Sequence, residues 1–395
     1  MYLNQELNKN KRNKYTEVNS FTSFLCSIYF FLSFYENYFN QLFGSMTKYL
    51  LLVIIGLVLL NNKGINLKWQ HAVMYLWFLI QIASFFWTKN DTVMKQHFIS
   101  QVGMLMFYLV MTSVRFDEKF ITSILKTILY SSSSMGILAL FFSEPYHGVV
   151  KTRQVLVLFG IGTDPNNMAV FYLFAISISL WLIIYEKKNI WINSLIFLIN
   201  TFALGLTGSR GGIITFLAII LCFMILTDTS REKLKNVLFK ILLFAFIIMV
   251  IYWGFFLILP EEIFERILTF DSYDSGSNRD ILWRNTWSLF TEYPFFGAGW
   301  GSYYGYNGFF NAVHNTYLAM LSDVGVIGFL LFFSPVLWTL KEAIIRKVPL
   351  AIIILVTGLI PSLFIDAINK RFFWNSIIIA FVLVTGQFNE KEYSR

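Results

Sequence analysis

Short segments of the sequence combine residue types suited to holding a phosphate group or acting on a sugar. One is TGSRGG, residues 207–212, which sets Arg210 among three glycines between two apolar runs. Glycine lets main-chain N–H groups approach a ligand closely, and a helix starting at once would point its N-terminus at an anion. We therefore expect Ser209, Arg210 and Gly211 to bind a phosphate. A plain hairpin turn, with Arg210 reaching lipid headgroups, is the alternative.

A second segment, SGSNRDILWRNTW, carries two arginines, Arg279 and Arg284. The planar guanidinium group matches two phosphate oxygens at once, which the lysine ammonium group does not do. A pyrophosphate would use several such groups. The alternative is an amphipathic helix on the membrane surface, with its basic residues at the lipid headgroups.

The segment HNTYLAMLSDVGVIGFLLFF begins with a histidine at the predicted outer end of an apolar run. Histidine is the usual general base near neutral pH, so His314 is a candidate base, and a structural hydrogen bond is the alternative. Asn315 follows it as an expected substrate contact. Asp323 lies inside the run, where a carboxylate is costly, and we expect it to orient His314 or Arg210.

A fourth segment, KTRQVLVLFGIGTDPNNMAV, places Arg153, Asp164 and Asn166 before another apolar run. Arg153 would add to an anion-attracting surface if this loop folds over the others. Asp164 and Asn166 are candidates for hydrogen bonds to a sugar. Asp164 followed by proline is also typical of a helix N-cap, which is the alternative.

The elements that must position these residues are membrane helices. The chain has 395 residues, of which 56% are hydrophobic and 14% charged, whereas soluble domains carry about 25% charged residues. This composition excludes an ordinary water-soluble enzyme. The net charge is +8, but the basic residues are scattered, so no nucleic acid partner is expected. Two cysteines in apolar runs and unconvincing acidic pairs predict no metal site, and we expect no cofactor.

Apolar runs of about 17–25 residues predict an all-α polytopic membrane protein with about 12 transmembrane helices and one large outer loop. An excess of lysine and arginine in the segments assigned to the cytoplasm supports both termini inside. No internal repeat is evident, which weakens a transporter interpretation. The predicted layout is a cytoplasmic tail at 1–19, helices one to nine within 20–259, an extracytoplasmic loop with an interfacial helix at 260–315, helices ten to twelve within 316–387, and a cytoplasmic tail at 388–395.

In this order, TDPNNMA, LTGSRGG, SNRDILW with PFFGAGWGSYY, and HNTYLAMLSDVGVIGFLLFF resemble the O-antigen polymerase and O-antigen ligase family, which includes capsular and exopolysaccharide polymerases. The resemblance covers about residues 150–340. It implies a C-type glycosyltransferase-like fold in the bacterial cytoplasmic membrane, with a site open to the outer side. It also implies an undecaprenyl-pyrophosphate-linked oligosaccharide as donor and a reaction that needs no metal.

Carried over by motif, the resemblance implies that Arg210 and Arg279 bind the leaving pyrophosphate and that His314 is the base. It further implies inversion at the donor anomeric carbon. Asp280 beside Arg279 departs from the family pattern and leaves open whether Arg279 or Arg284 is the main phosphate contact. The remaining expected substrate contacts are Arg153, Asp164, Asn166, Ser209, Gly211, Asn315 and Asp323.

The acceptor distinguishes the functions that the resemblance allows. We favour a polymerase, whose acceptor is a second lipid-linked repeat unit, because the outer loop is rich in Trp, Tyr and Gly and offers stacking surfaces for a glycan. Interfacial anchoring explains the same aromatic residues. A ligase that transfers glycan to a lipid core and a lipid-linked oligosaccharide flippase are the alternatives. Expected partners are the lipid-linked donor and acceptor, the bilayer, a chain-length regulator and a flippase.

Overall fold

The computed structural model describes residues 18–61, 67–146, 153–227, 233–268, 279–308 and 310–386. Residues 1–17 of the predicted N-terminal tail and the predicted C-terminal tail at 388–395 lie outside the described residues. The same holds for residues 269–278 of the predicted outer loop. The described residues are 79% helical.

The first half of the chain contains long helices and one short hairpin. In chain order the elements are α1 (Ser20–Phe43), α2 (Met46–Asn61), α3 (Trp69–Ala83), α4 (Thr92–Ser113), α5 (Glu118–Phe142), β1 (Ser143–Pro145), β2 (Gln154–Leu156) and α6 (Pro165–Trp181). The two strands pair antiparallel, with Glu144 opposite Val155. Helix α6 continues directly into a π-helical turn, Leu182–Glu186.

The second half adds eight named helices, and single 3₁₀ turns lie between some of the elements. These helices are α7 (Ile190–Leu206), α8 (Arg210–Leu226), α9 (Lys233–Ile258), α10 (Glu261–Leu268), α11 (Arg279–Glu292), α12 (Thr316–Ile345), α13 (Pro349–Leu359) and α14 (Arg371–Thr385).

Among the described residues, four helical stretches are long and apolar enough to cross a bilayer: α5, α6 with its π-helical turn, Leu238–Ile258 of α9, and α12. Shorter apolar helices accompany them, among them α7, α8 and α14. The all-α class predicted from the sequence is confirmed, and the apolar helices agree with a membrane protein. The count of about 12 spans and the glycosyltransferase-like fold stay predictions.

The chain divides into two compact units. Unit 1 comprises the described residues of Met1–Thr127, Ser277–Ala351 and Ser362–Arg395, and unit 2 comprises those of Ile128–Gly276 and Ile352–Pro361. Unit 1 therefore contains α11, α12 and α14, whereas unit 2 contains α6 to α10.

Aromatic packing forms much of the core of unit 1. The Phe332 ring of α12 lies 4.8 Å from that of Trp77 and 5.6 Å from that of Trp374, centroid to centroid. Both tryptophans are at most 1% exposed. Edge-to-face aromatic pairs of this kind add to the free energy gained by burying the rings.

Close helix packing defines unit 2. Helix α6 is buried over most of its length and packs against α7 and α8. At Gly212 an added Cβ would lie 2.8 Å from the Cβ of Ala169, so only glycine lets α8 approach α6 this closely. Gly212 therefore serves packing as well as the turn before it.

Helix α12 is interrupted at Gly325, whose φ of 65° and ψ of −173° lie outside the helical region. The interruption frees main-chain groups that a continuous helix would use internally. Residues 294–299 occupy them: the N–H of Ala298, for example, donates to the carbonyl oxygen of Ser322 at 2.8 Å. An added Cβ at Gly325 would lie 2.2 Å from the carbonyl oxygen of Phe295, so this approach requires glycine.

Candidate functional site

The TGSRGG segment is the turn between α7 and α8 in unit 2. Helix α8 begins at Arg210, as the sequence predicts, and Ser209 is its N-cap. The Oγ of Ser209 accepts a hydrogen bond from the N–H of Gly212 at 3.2 Å. Gly211 lies in the first helical turn between them. The helix start therefore presents its positive end at this turn.

Arg153 is fixed against this turn. Its Nε donates to the carbonyl oxygen of Thr207 at 3.0 Å, and its Nη2 donates to Oδ1 of Asn166 at 2.8 Å. The same amide oxygen accepts from the Oγ of Ser209 at 2.9 Å. These two bonds go to uncharged acceptors, and they fix the position of the guanidinium group. The structure thus joins two separate sequence motifs in one polar network.

Arg210 reaches the end of α10. Its Nε donates to the carbonyl oxygen of Arg266 at 2.9 Å, so the backbone of Arg266 lies beside the turn. The sequence analysis did not include Arg266 in the site. The available signal was the amphipathic segment EEIFERIL, which ends in a basic residue. An apolar cluster holds α10 there, consisting of Leu206, Phe255, Leu259, Ile263 and Phe264.

Asp164 caps α6. Its Oδ1 accepts from the backbone N–H groups of Asn166 at 2.8 Å and Asn167 at 3.2 Å, and Pro165 is the first helical residue. The helix-cap alternative is therefore confirmed. A hydrogen bond from Asp164 to a sugar stays a prediction.

In unit 1, helix α11 begins at Arg279. Arg284 donates from Nη2 to Oδ2 of Asp280 at 2.6 Å, and both side chains are exposed. This hydrogen bond lowers the pKa of the Asp280 carboxyl. Asp280 thus compensates the charge of Arg284, while Arg279 is half-buried at the helix start. The pairing of Arg284 favours Arg279 for a phosphate, and this assignment stays a prediction.

His314 lies in the segment before α12, with a left-handed φ of 54°. The Nε1 of Trp283 on α11 donates to the carbonyl oxygen of Val313 at 3.0 Å, which holds this segment. Asn315 caps α12 by accepting at Oδ1 from the N–H of Tyr317 at 3.0 Å. The candidate base therefore sits between two fixed points of the chain.

Asp366 is a carboxyl that the sequence analysis missed. It follows the apolar stretch Pro349–Leu363, in the loop before α14. Burial raises its pKa to about 6, while the nearby backbone N–H groups of His314 and Val313 favour the ionised form. Neither carboxylate oxygen makes a hydrogen bond of normal geometry. No motif marks this loop. The importance of Asp366 follows only from contacts with residues that are distant in the sequence.

Asp323 is 7% exposed, and its Oδ1 accepts from the backbone N–H of Gly301 at 2.9 Å. This contact fixes the glycine-rich turn of the outer loop to α12. The expected role of Asp323 in orienting His314 or Arg210 stays a prediction. The outer loop was expected to offer stacking surfaces for a glycan, and its tryptophans differ in this respect. Trp300 is 1% exposed and packs inside unit 1, so it offers no stacking surface. Trp287 of α11 is 51% exposed and keeps such a surface.

The structure therefore assembles the predicted residues in part. In unit 2 it brings Arg153, Asn166, Ser209 and Arg210 to one turn. In unit 1 it joins the segment of His314 to α11. Among the described residues, no group of three or more His, Cys, Asp or Glu side chains is arranged to hold a metal ion.

Comparison with known proteins points to one family. No curated protein matches the chain. Residues 194–333 match the family model described as O-antigen ligase. The matched segment includes Arg210, Arg279 and His314, whereas Arg153 and Asn166 precede it. The match supports the resemblance seen in the motifs: over this segment the chain is similar to the O-antigen ligase and polymerase family, whose members are enzymes acting on lipid-linked oligosaccharides in the membrane.

Proposed function

We propose that the protein polymerises undecaprenyl-pyrophosphate-linked oligosaccharide repeat units into a surface polysaccharide. The product is an O-antigen, capsule or exopolysaccharide made at the outer face of the bacterial cytoplasmic membrane. The observation that carries the proposal is the arginine-lined turn inside the family match. There Arg210 starts α8, and the guanidinium group of Arg153 is fixed to the carbonyl of Thr207. Guanidinium groups at a helix N-terminus suit a pyrophosphate.

In the proposed reaction, the imidazole of His314 takes the proton of an acceptor hydroxyl. The hydroxyl oxygen attacks the anomeric carbon of the donor, and the bond from that carbon to the pyrophosphate oxygen breaks. Undecaprenyl pyrophosphate leaves with the bonding electron pair, and the anomeric configuration inverts. Arg210 and Arg279 bind the charge that develops on the leaving group. Removing one such donor lowers a rate by about 10²–10³-fold.

Asp366 supports this role of His314 through the main chain. Its carboxylate lies near the N–H groups of residues 313 and 314, and Trp283 holds the carbonyl of Val313 from the other side. Together these contacts keep the segment of His314 in its left-handed conformation. We infer that Asp366 is a positioning residue.

A second candidate is an O-antigen ligase, which takes the same donor but transfers the glycan to a lipid core. The matching family is described as O-antigen ligase, which favours this candidate. The burial of Trp300 also removes part of the stacking surface on which the preference for a polymerase rests. The two candidates differ in acceptor alone, so the glycan products must decide between them.

The decisive experiment is the size distribution of surface and lipid-linked glycan in cells that lack the gene. The same cells are complemented with wild type, His314→Ala, Arg210→Ala or, as the matched arginine control, Arg284→Ala. We expect single repeat units instead of a ladder without the gene or with the first two variants, and a ladder with the control. A full ladder retained on the carrier lipid would instead establish a ligase. Single units trapped inside the cell would establish a flippase. Normal ladders from folded and inserted His314→Ala and Arg210→Ala proteins would refute the site.

A further inference from the structure

The hydroxyl group of Thr316 joins two segments of unit 1 that are far apart in the sequence. Thr316 is the first residue of α12 and is 0% exposed. Its Oγ1 donates to the carbonyl oxygen of Ile365 at 2.7 Å and accepts from the N–H of Ala367 at 2.8 Å. One hydroxyl group thus acts as donor and as acceptor towards the loop before α14. Both bonds are buried, so losing the hydroxyl group would remove a partner from two main-chain groups that water does not reach.

Helix α12 does not need this hydroxyl group for its own backbone. Asn315 is the N-cap, and its Oδ1 already accepts from two N–H groups of the first helical turn. Threonines inside helices commonly bond back to the preceding turn, as Thr339 does with the carbonyl oxygen of Pro335 at 2.8 Å. The bonds of Thr316 instead span 49 and 51 residues. They therefore serve the position of the loop.

The two bonds lie on either side of Asp366. The carbonyl oxygen of Ile365 and the N–H of Ala367 belong to the two peptide groups that flank this residue, so Thr316 holds both of them. Because peptide groups are planar, fixing both leaves the Asp366 backbone little freedom. The buried carboxylate of Asp366 then lies near the N–H groups of residues 313 and 314.

The segment of His314 needs support from outside. Its φ of 54° is left-handed, a conformation that costs free energy in residues other than glycine. Trp283 holds the carbonyl oxygen of Val313 at 3.0 Å from one side, and Asp366 lies near the N–H groups from the other. We propose that Thr316 is a positioning residue of the candidate base, because its hydroxyl group holds Asp366 against the segment of His314. This inference rests on the proposed function of His314.

Other contacts hold the far end of the loop, so the loss of the Thr316 hydroxyl group acts locally. Nε1 of Trp374 donates to the carbonyl oxygen of Ile368 at 2.7 Å. Arg371 is 4% exposed, and its Nε lies 2.7 Å from Oε1 of Glu36. These contacts remain in Thr316→Val, which keeps the branched shape of threonine and replaces the hydroxyl group with a methyl group. We therefore expect this variant to fold.

The test combines Thr316→Val and Asp366→Asn in the full-length protein in phosphatidylcholine nanodiscs. Turnover is measured with lipid-linked repeat units isolated from cells that lack the gene. Each single variant should lower kcat about tenfold and change KM less than about twofold, because the base is displaced while substrate binding is retained. If Thr316 acts through Asp366, the double variant should lose no more than the single variants. Losses that multiply to about 100-fold would show two independent effects and overturn the proposal.

Two further variants control for a general loss of stability. Thr316→Ser keeps the hydroxyl group, whereas Thr339→Val removes a hydroxyl group from the same helix at another position that is 0% exposed. We expect both to keep kcat within about twofold of wild type. A loss in Thr339→Val as large as that in Thr316→Val would show a general effect of buried hydroxyl groups. That result, or a Thr316→Ser variant as slow as Thr316→Val, would contradict a positioning role.

A spectroscopic measurement keeps this inference separate from the polymerase proposal. The chain has 4 histidines, and carbon-13 at Cε1 of each ring reports its surroundings without any turnover. The signal of His314, assigned with His314→Gln, should move in Thr316→Val and in Asp366→Asn. It should stay in place in Thr316→Ser and Thr339→Val. An unmoved signal in Thr316→Val would overturn the inference even if the protein is a polymerase. A moved signal in a protein that makes no polymer would refute the proposed function alone.

Discussion

Replacing Asp366 with asparagine should make the protein more stable near neutral pH and, at the same time, less active. Burial raises the pKa of this carboxyl from 3.8 to about 6, although nearby N–H groups and Lys370 favour the ionised form. At about 1.4 kcal/mol per pH unit, this difference corresponds to about 3 kcal/mol of destabilisation by the ionised carboxylate. Both carboxylate oxygens are buried. Relaxation of the surroundings and water penetration lower the cost of a buried charge, so this value is an upper limit.

The sign of the pH dependence follows from the two protonation states. Because the pKa is higher in the folded state, that state holds the proton more tightly, and ionisation costs stability. The cost is absent below about pH 4, grows up to about pH 6 and is constant above it. Asparagine has nearly the same shape and does not ionise. The stability of Asp366→Asn should therefore rise relative to wild type across this window.

The assay is thermal unfolding of the purified full chain in detergent, followed by tryptophan fluorescence at about pH 4.5 and about pH 7.5. We expect a higher unfolding temperature for Asp366→Asn at the higher pH and a smaller difference at the lower pH. Asp280→Asn is the control of opposite sign, because Arg284 lowers the pKa of that exposed carboxyl. The reasoning fails if Asp366→Asn is less stable than wild type at the higher pH. Full polymerising activity in this variant would refute the positioning role.

Three further outcomes follow from the site and the fold. Arg279→Gln should reduce glycan polymerisation in purified preparations by about 10²-fold or more. Arg284→Gln should change the rate little, because the charge of Arg284 is already paired. Equal losses in the two variants would contradict the assignment of the phosphate contact to Arg279. Gly325→Ala should lower the unfolding temperature, since its Cβ would lie 2.2 Å from the oxygen of Phe295, while Gly254→Ala in α9, with no atom within 4 Å, should not. Activity should persist in EDTA; loss with EDTA and recovery with magnesium would refute a metal-free reaction.

Short sequence motifs predicted the helix starts and caps, because these depend on residues that are close together in the sequence. The start of α8 at Arg210 and the cap at Asp164 follow from residues within one turn of each other, so the sequence contains the whole cause. Apolar runs likewise predicted the helical class, because a bilayer requires backbone groups to be paired within the segment. The family motifs identified Arg210, Arg279 and His314, all within the matched segment.

Features that depend on contacts between distant segments were not predictable in this way. The apolar run that begins at Thr316 shows no sign of its interruption at Gly325, because the break is stabilised by residues 294–299 from outside the helix. Asp366 and Arg266 acquire their importance from neighbours far away in sequence. The burial of Trp300 likewise results from contacts between distant segments.

Main-chain atoms on both sides hold residues 294–299 to the interrupted helix α12, through bonds such as that from the N–H of Ala298 to the oxygen of Ser322. No side chain takes part in these bonds. Glycine is required where the two backbones meet, because a Cβ would not fit there. Substitutions elsewhere in the loop can therefore accumulate without displacing it. The position of the loop therefore does not depend on the side chains that could contact a glycan. It also marks the loop as a segment that can be exchanged between relatives while its anchor is retained.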